Sequence, residues 1–360
     1  MRNSRNINFA NAINEALAVA MARDNSVFLL GEGIDDPAAF FGTTKGLAQQ
    51  FGDPRALEMP VSENGMVGVA IGAALAGQRP VLSLHRVEFA LLAIEQIVNN
   101  AAKSHYVSNG KHRVPLVIRL IVGRGWGQGP EHSQSLESVF GHFPGLKVVM
   151  PTMPSDAKGM LLAAIEDDNP VIFIEHRWLH ATEGHVDETG KSAPLDGPVV
   201  LKKGGDVTLV GASQSTLECI RAAEALSHID VSAEVVDLRV VRPLNVDPIV
   251  TSSKKTGYLV TVDSGWRTYG IGAEICSRVT TEAWDSLKAA PIRLGLPDHP
   301  TPSSRGMVPG FYPDSIQVVA RVGEVLGLAE KMVAKAQNVL AEMVGDQAVD
   351  TPSEFFKGPF

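Results

Sequence analysis

One acid set in an uncharged stretch is the first feature of this chain that could do chemistry. Glu63 stands in Pro60-Val61-Ser62-Glu63-Asn64-Gly65-Met66, and residues 66–77 after it carry no charge but hold Gly68, Gly72 and Gly77. Small and apolar residues in such a run predict a helix that sits close to something. A carboxylate at the mouth of such a helix is expected to be partly buried. Burial raises a carboxyl pKa unless a partner offsets it, and perturbed carboxyls are over-represented in functional sites. The competing reading places Glu63 in the first helical turn, satisfied by the helix macrodipole. Spacing alone leaves both open.

A second candidate follows the apolar run 115–122. Gly123-Arg124-Gly125-Trp126-Gly127-Gln128-Gly129-Pro130 leads into Glu131-His132-Ser133-Gln134-Ser135. A histidine on a glycine-rich loop can act as a general acid, a base or a donor to a developing oxyanion; the alternative is a loop histidine that caps the next helix. His132 and Ser133 are adjacent and cannot form a nucleophile–base pair in triad geometry, and no Gly-x-Ser-x-Gly elbow is present. There is no Walker A motif, and the segment 68–72 lacks a GxGxxG frame. A Gly-Asp-Gly…Asn arrangement for diphosphate and magnesium is missing; Gly204-Gly205-Asp206 comes nearest.

The elements that must position these residues alternate. Helices are predicted over 9–23, 66–77, 89–103 and 155–165, the last with a Ser155 N-cap, and strands over 27–30, 80–84, 115–122, 147–151 and 170–175. This alternation predicts an α/β fold with a mostly parallel sheet. The polar stretch 181–204, with its Gly and Pro, reads as a linker. A second α/β unit follows, with strands over 207–212, 232–237, 258–262 and 292–295 and helices over 215–226 and 270–280. The tail holds helices over 314–326 and 329–343. The resulting domains are 1–190, a linker over 191–205, 206–330, and a C-terminal helix and tail over 331–360. The 360 residues are 44% hydrophobic with a net charge of −8. No basic patch points to nucleic acid, and no apolar run approaches the roughly 20 residues that span a bilayer. The first residues lack a signal-peptide core. Cys219 and Cys276 have no metal or disulfide spacing. A reducing, cytoplasmic location is expected.

Taken together, the segments 30–32, 61–65, 93–103, 131–135, 144–149 and 154–159 resemble the β subunit of the thiamine-diphosphate-dependent decarboxylating component of 2-oxo acid dehydrogenase complexes. This group includes the pyruvate, branched-chain 2-oxo acid and acetoin enzymes. The resemblance covers about residues 5–328. It implies a transketolase-like pyrimidine-binding domain followed by a smaller α/β transketolase C-terminal domain. It places on Glu63 the carboxyl that bonds the cofactor's aminopyrimidine, on Phe89 the aromatic that stacks on it, and on Glu32 an acid that helps connect two active sites. His132 matches the loop histidine near the reacting carbon. A potassium site is also implied, matching Leu116, Ala164, Ile165, Asp167 and Asn169; from the residues themselves, Asp167 and Asn169 read equally as a turn before Pro170.

The diphosphate and magnesium half of the cofactor site is expected on a separate α subunit, in an α2β2 heterotetramer, with a lipoyl acyltransferase core as a further partner. The implied reaction is oxidative decarboxylation of a 2-oxo acid with acyl transfer to a lipoyl group. The alternative is the second half of a split transketolase-like enzyme that transfers an acyl or two-carbon unit to an aldehyde. Two departures stand out. His85-Arg86-Val87-Glu88 precedes Phe89 where the family often has polar and aromatic residues, so Arg86 and Glu88 pair with each other or face the partner. Arg124, Trp126 and Gln128 occupy a loop where many relatives carry small residues.

Overall fold

The computed structural model describes residues 4–36, 40–124, 128–345 and 351. The first unit runs β1 (Ser4–Asn8), α1 (Phe9–Arg23), β2 (Val27–Gly31), α2 (Leu47–Phe51), β3 (Ala56–Glu58), α3 (Glu63–Leu75) and β4 (Arg79–Leu84). A helical stretch over 89–107 follows, ending in α4 (Ala102–Val107). Then come β5 (Val117–Val122), α5 (Glu137–Gly141), β6 (Lys147–Val149), α6 (Pro154–Glu166), β7 (Val171–His176) and β8 (Glu183–Asp187). The second unit holds β9 (Val199–Lys202), β10 (Val207–Gly211), α7 (Gln214–Ser227), β11 (Ala233–Asp237), β12 (Val240–Arg242), α8 (Asp247–Thr256), β13 (Leu259–Trp266), α9 (Ile271–Ala283), β14 (Ile292–Leu296), α10 (Ser315–Leu326) and α11 (Glu330–Val344).

The first sheet has the order β12-β6-β7-β5-β4-β2-β3 and the second β14-β13-β10-β11-β9. Both are parallel except at β12 and β9, which pair antiparallel at their edges. The parallel strands are mostly apolar, and every residue of β5, β7, β10 and β11 is buried. This is what helices on both faces of a parallel sheet require. Because β12 leaves the second unit to join the first sheet, the units interlock, and one core cluster runs from Met66, Val67 and Ile71 of α3 to Ile249 of α8 and Ile275 of α9.

Several expectations are corrected. The stretch read as a linker contains β8, paired with β1, and β9, the edge of the second sheet. Ser155 does not cap α6; the N-cap is Met153 and Pro154 takes the first turn, where its fixed φ and missing N–H cost nothing. The helix predicted over 89–103 is wound unevenly, with a 3₁₀ turn at Phe89–Ala93 and a π turn at Gln96–Ala101. Trp126, and all of the expected tail beyond residue 345 except Thr351, lie outside the described residues.

Candidate active site

The carboxyl ends of β2, β4, β5 and β7 bring the chemistry together, as open α/β sheets do. Glu32 follows β2, residues 85–89 follow β4, the loop to Gln134 follows β5, and Arg177 follows β7. Glu32 is held by its backbone. Gly31 adopts φ +145°, and a Cβ there would lie 2.3 Å from the Ser83 carbonyl oxygen, so only glycine fits. The Glu58 carboxylate accepts from the Gly33 and Ile34 N–H groups at 2.8 and 2.7 Å. His85 Nε2 meets the Glu32 carbonyl at 2.7 Å.

Glu63 opens α3 and is buried. Its neighbour Ser62 makes no side-chain cap. No other described residue donates a hydrogen bond to the Glu63 carboxylate. Burial, and then the charge of Glu63, hold the Glu32 carboxyl above its ordinary value, with His85 opposing. Glu32 Oε1 is also buried without a partner. Two acids therefore share one recess with spare acceptor capacity and little positive charge, a setting that favours a ligand bringing N–H donors.

Phe89, on a turn packed against α3, meets His132. Their rings pack edge to face, with centroids 5.7 Å apart and an interplanar angle of 88°. Asn64, next to Glu63, ties α3 to the Phe89 turn: its Nδ2 donates to the Leu92 carbonyl at 3.4 Å and its Oδ1 accepts from Gln96 at 3.4 Å. His132 does not cap the next helix, whose N-cap is Leu136 without a side-chain bond. The loop instead reaches the second unit. Ser135 Oγ donates to Glu137 at 2.6 Å and lies 3.0 Å from Ser264 Oγ, and Thr301 donates to the Gly129 carbonyl at 3.0 Å.

Arg86 and Glu88 are both buried and pair with each other, Nε to Oε2 at 3.5 Å. Burial lowers the Arg86 pKa and raises that of Glu88. Burial, and then the charge of Arg86, bring Arg177 down to about 10. Arg124 lies over the rings of Trp178 and Tyr312, at 3.9 and 3.6 Å, a cation–π arrangement that spans the two units.

The expected potassium ligands lie near one another, and oxygens of Leu116, Ile165 and Asp167 accept bonds within the chain. The Leu116 carbonyl accepts from Val171 N–H at 2.9 Å. Arg79 donates to the Ile165 and Asp167 carbonyls at 3.0 and 3.1 Å, and to the Asp168 carboxylate at 2.7 Å. Lys147 pairs with the Asp167 carboxylate, which also accepts from the Asn169 backbone and side chain, both at 2.9 Å. These contacts lower the Asp167 pKa against the opposing effect of burial. Of the five residues, Ala164 adds only a helical carbonyl. The chain's own cations Arg79 and Lys147 thus serve Ile165 and Asp167 of this cluster. Among the described residues there is no group of three or more His, Cys, Asp or Glu placed to hold a metal ion.

The outer face of α3 is unusual. Met66, Val67, Ala70, Ile71 and Ala74 form the inward stripe, while Val69, Gly72 and Leu75 are exposed. A Cβ added at Gly68 or Gly72 would meet nothing within 4 Å. Leu91 and Leu92 are exposed on the neighbouring turn. The glycines are therefore not explained by packing within this chain.

Sequence reasoning missed one buried cluster. Arg119 of β5 donates to Glu175 of β7 through Nε at 2.6 Å and Nη2 at 3.0 Å, and also to Ser83 and Thr43. Glu175 Oε2 meets His180 Nε2 at 3.1 Å. Charges within the apolar runs VIRLIV and VIFIEH were the available signal, because buried charges are paired.

Comparison with known proteins agrees with this architecture. A model of the transketolase pyrimidine-binding domain matches residues 5–181, and one of the transketolase C-terminal domain matches residues 198–315. The pyruvate dehydrogenase E1 component subunit β of Rickettsia bellii (strain RML369-C) is 38% identical over 314 residues, covering 87% of this chain and 97% of the relative. The mitochondrial subunit β of Saccharomyces cerevisiae is 38% identical over 322 residues, covering 88% of each chain. That of Rattus norvegicus is 35% identical over 322 residues, covering 88% and 90%. A solved structure described as a split gene transketolase, inactive beta4 tetramer, superposes with a TM-score of 0.70 at 21% identity, covering 89% of this chain and 99% of that one, and shares the fold. The chain belongs to the family of pyruvate dehydrogenase E1 component β subunits, the transketolase-like β subunits of thiamine-diphosphate-dependent 2-oxo acid dehydrogenases.

Proposed function

We propose that this chain supplies the pyrimidine side of a shared thiamine diphosphate site and works with an α subunit in an α2β2 assembly. Together they decarboxylate a 2-oxo acid and pass the acyl unit to a lipoyl disulfide on an acyltransferase core. The observation that carries this reading is the pair of acids at the start of α3 and the end of β2: the charge of Glu63 bears on the Glu32 carboxyl, whose Oε1 is buried without a partner. When bound, the cofactor supplies the carbanion and electron-sink chemistry. Glu63 holds or releases a proton at its carboxylate toward a ring nitrogen. Phe89 offers an aromatic face that orients the ring. Glu32 completes the acidic recess beside Glu63. His132 donates to substrate or acyl oxygen at the mouth of the site.

Several observations support the α subunit as the missing half. The face of α3 beside Glu63 carries glycines that no packing in this chain explains, and its side chains there are exposed and apolar. Magnesium and the diphosphate are assigned to that subunit. A potassium ion at the expected ligands would share oxygens of Ile165 and Asp167 that already accept from Arg79 and Lys147. A reducing, cytoplasmic location suits two free cysteines, one of them fully buried. None of the described helices is long and apolar enough to cross a membrane.

The test is reconstitution with the α subunit, followed by decarboxylation assays on pyruvate and branched-chain 2-oxo acids and an acetaldehyde-release assay on acetoin, each with and without a lipoyl acceptor. Glu63→Gln should assemble normally and lose most turnover. Near-normal turnover of that variant would remove Glu63 from the mechanism. Transfer to an aldehyde with no response to the lipoyl acceptor would favour a split transketolase-like activity instead.

A further inference from the structure

We infer that Arg86 and Glu88 are positioning residues that clamp the segment carrying His132 against the Phe89 turn; the kinetic consequence rests on the reading of His132 as a group of the reaction site. The clamp touches the segment on both sides of the histidine. Ahead of it, Arg86 Nη2 donates to the Gly123 carbonyl, and Nη1 donates to Gln128 Oε1 at 3.2 Å. Arg177, from the end of β7, donates to the same Gln128 oxygen at 2.7 Å. Behind it, Glu88 Oε1 accepts the Gln134 backbone N–H at 2.7 Å. The clamp is itself fixed to the sheet, since Val87 N–H donates to the Ile121 carbonyl of β5 at 2.9 Å.

Arg86 and Glu88 are only 5% and 8% exposed. Burying two charges is costly unless further hydrogen bonds return the expense. Here each of those further bonds goes to the loop: two from Arg86 and one to Glu88. The segment between Gln128 and Gln134 has no helix or strand of its own, so its course depends on these anchors and on Thr301. His132 lies two residues from the Glu88 anchor, and its ring rests on Phe89, the residue next to Glu88. One short turn thus sets both the aromatic face and the loop that covers it. A displacement of about 1 Å at a reacting group can cost about a hundredfold in rate.

Two measurements on the complex assembled with its α subunit test this. The first is hydrogen exchange over a peptide spanning 128–136. Glu88→Ala should speed exchange there, while Glu88→Gln, which keeps an acceptor oxygen, should stay close to wild type. Gln128→Ala, a milder change, should also speed it. Unchanged exchange in Glu88→Ala and Gln128→Ala would overturn the clamp. The second is a kinetic cycle with His132→Ala. Glu88→Ala should lower kcat by about ten- to a hundredfold with little change in KM. The double variant should be no worse than His132→Ala alone, because the two act as one unit. Multiplicative losses in the double variant, or a Glu88→Gln enzyme as impaired as Glu88→Ala, would overturn the positioning role. Full activity of His132→Ala together with faster exchange in Glu88→Ala would uphold the clamp while removing His132 from the reaction.

Discussion

The glycines of α3 make a prediction with two opposite signs. Gly65, Gly68 and Gly72 lie within the helix, and each interior glycine costs a helix about 1 kcal/mol relative to alanine. At Gly68 and Gly72 an added Cβ meets no atom of this chain within 4 Å. Replacing both with alanine should therefore stabilise the isolated chain by about 2 kcal/mol. With an unfolding entropy of about 2.1 cal/mol/K per residue over 360 residues, the melting temperature should rise by about 2–3 °C. Assembly should respond the other way. Helix axes pack about 8–10 Å apart, at a distance set by the side chains between them, so a leucine at Gly72 would hold a partner helix off. The association constant with the α subunit should fall by at least about tenfold, or about 1.4 kcal/mol, when titrated by sedimentation velocity. Differential scanning calorimetry of the chain alone supplies the first number. Two results would refute the reasoning: a lower melting temperature for the double alanine variant, or wild-type association by Gly72→Leu. The first would mean that the glycines serve this chain's own packing, and the second that the exposed face of α3 is not an interface.

Other expectations follow from buried charge. Arg119→Met leaves Glu175 buried without its cation, both side chains being 0% exposed, and should cost about 3–5 kcal/mol; a shift of the urea midpoint worth under about 1 kcal/mol would contradict that. Adding Glu175→Gln should recover part of the loss, because the stranded charge is then gone. Burial, aided by the charge of Glu137, raises the Asp263 pKa from 3.8 to about 7. Its contribution to stability is therefore complete below the unfolded value and is lost as pH rises through about 7. Asp263→Asn keeps an acceptor for the Gly272 N–H, bonded at 2.9 Å; its stability should gain on wild type between pH 4 and 8, and parallel profiles would show that Asp263 is not protonated in the fold.

The limits of sequence legibility are physical. Glu63 and the helix behind it were visible because charge is absent over 66–77, although the helix begins three residues earlier. The parallel strands were visible because burial on both faces makes them predominantly apolar. The strands β8 and β9 were not. Val186 is their one buried residue: β8, EGHVD, shows no apolar run, and β9, VVLK, has one of only three residues after a Gly-Pro pair. The helix α8 escaped notice because small polar residues do part of its packing. Ser252 and Thr256 bury their hydroxyls against Thr208 at 2.7 and 2.8 Å, a network that hydropathy cannot distinguish from a surface face. The site shows the same division. Glu63, Phe89 and His132 stand in runs specific enough to be matched, but the bonds from Glu88 to Gln134 and from Arg86 to Gly123 join positions 46 and 37 residues apart. Such contacts exist only once β4 and β5 lie side by side.

That adjacency also decides how binding and protonation are linked at the site. Glu32 is protonated more readily than an ordinary carboxyl because it is buried and faces Glu63 and Glu58, with His85 the opposing charge that acts on it. A ligand that places N–H donors on this recess supplies what the fold withholds. Hydrogen bonds to the charged form favour it, so binding should pull the Glu32 pKa back toward its ordinary value and expel a proton at mildly acidic pH. Calorimetric titration of the assembled complex with thiamine diphosphate, in buffers of different ionisation enthalpy, reads that proton directly. Glu32→Gln should abolish its release while leaving Glu63 in place. Equal heats in every buffer would mean that the recess is already ionised before the ligand arrives. The shortage of donors would then be a packing accident rather than the half of a site that waits for another molecule to complete it.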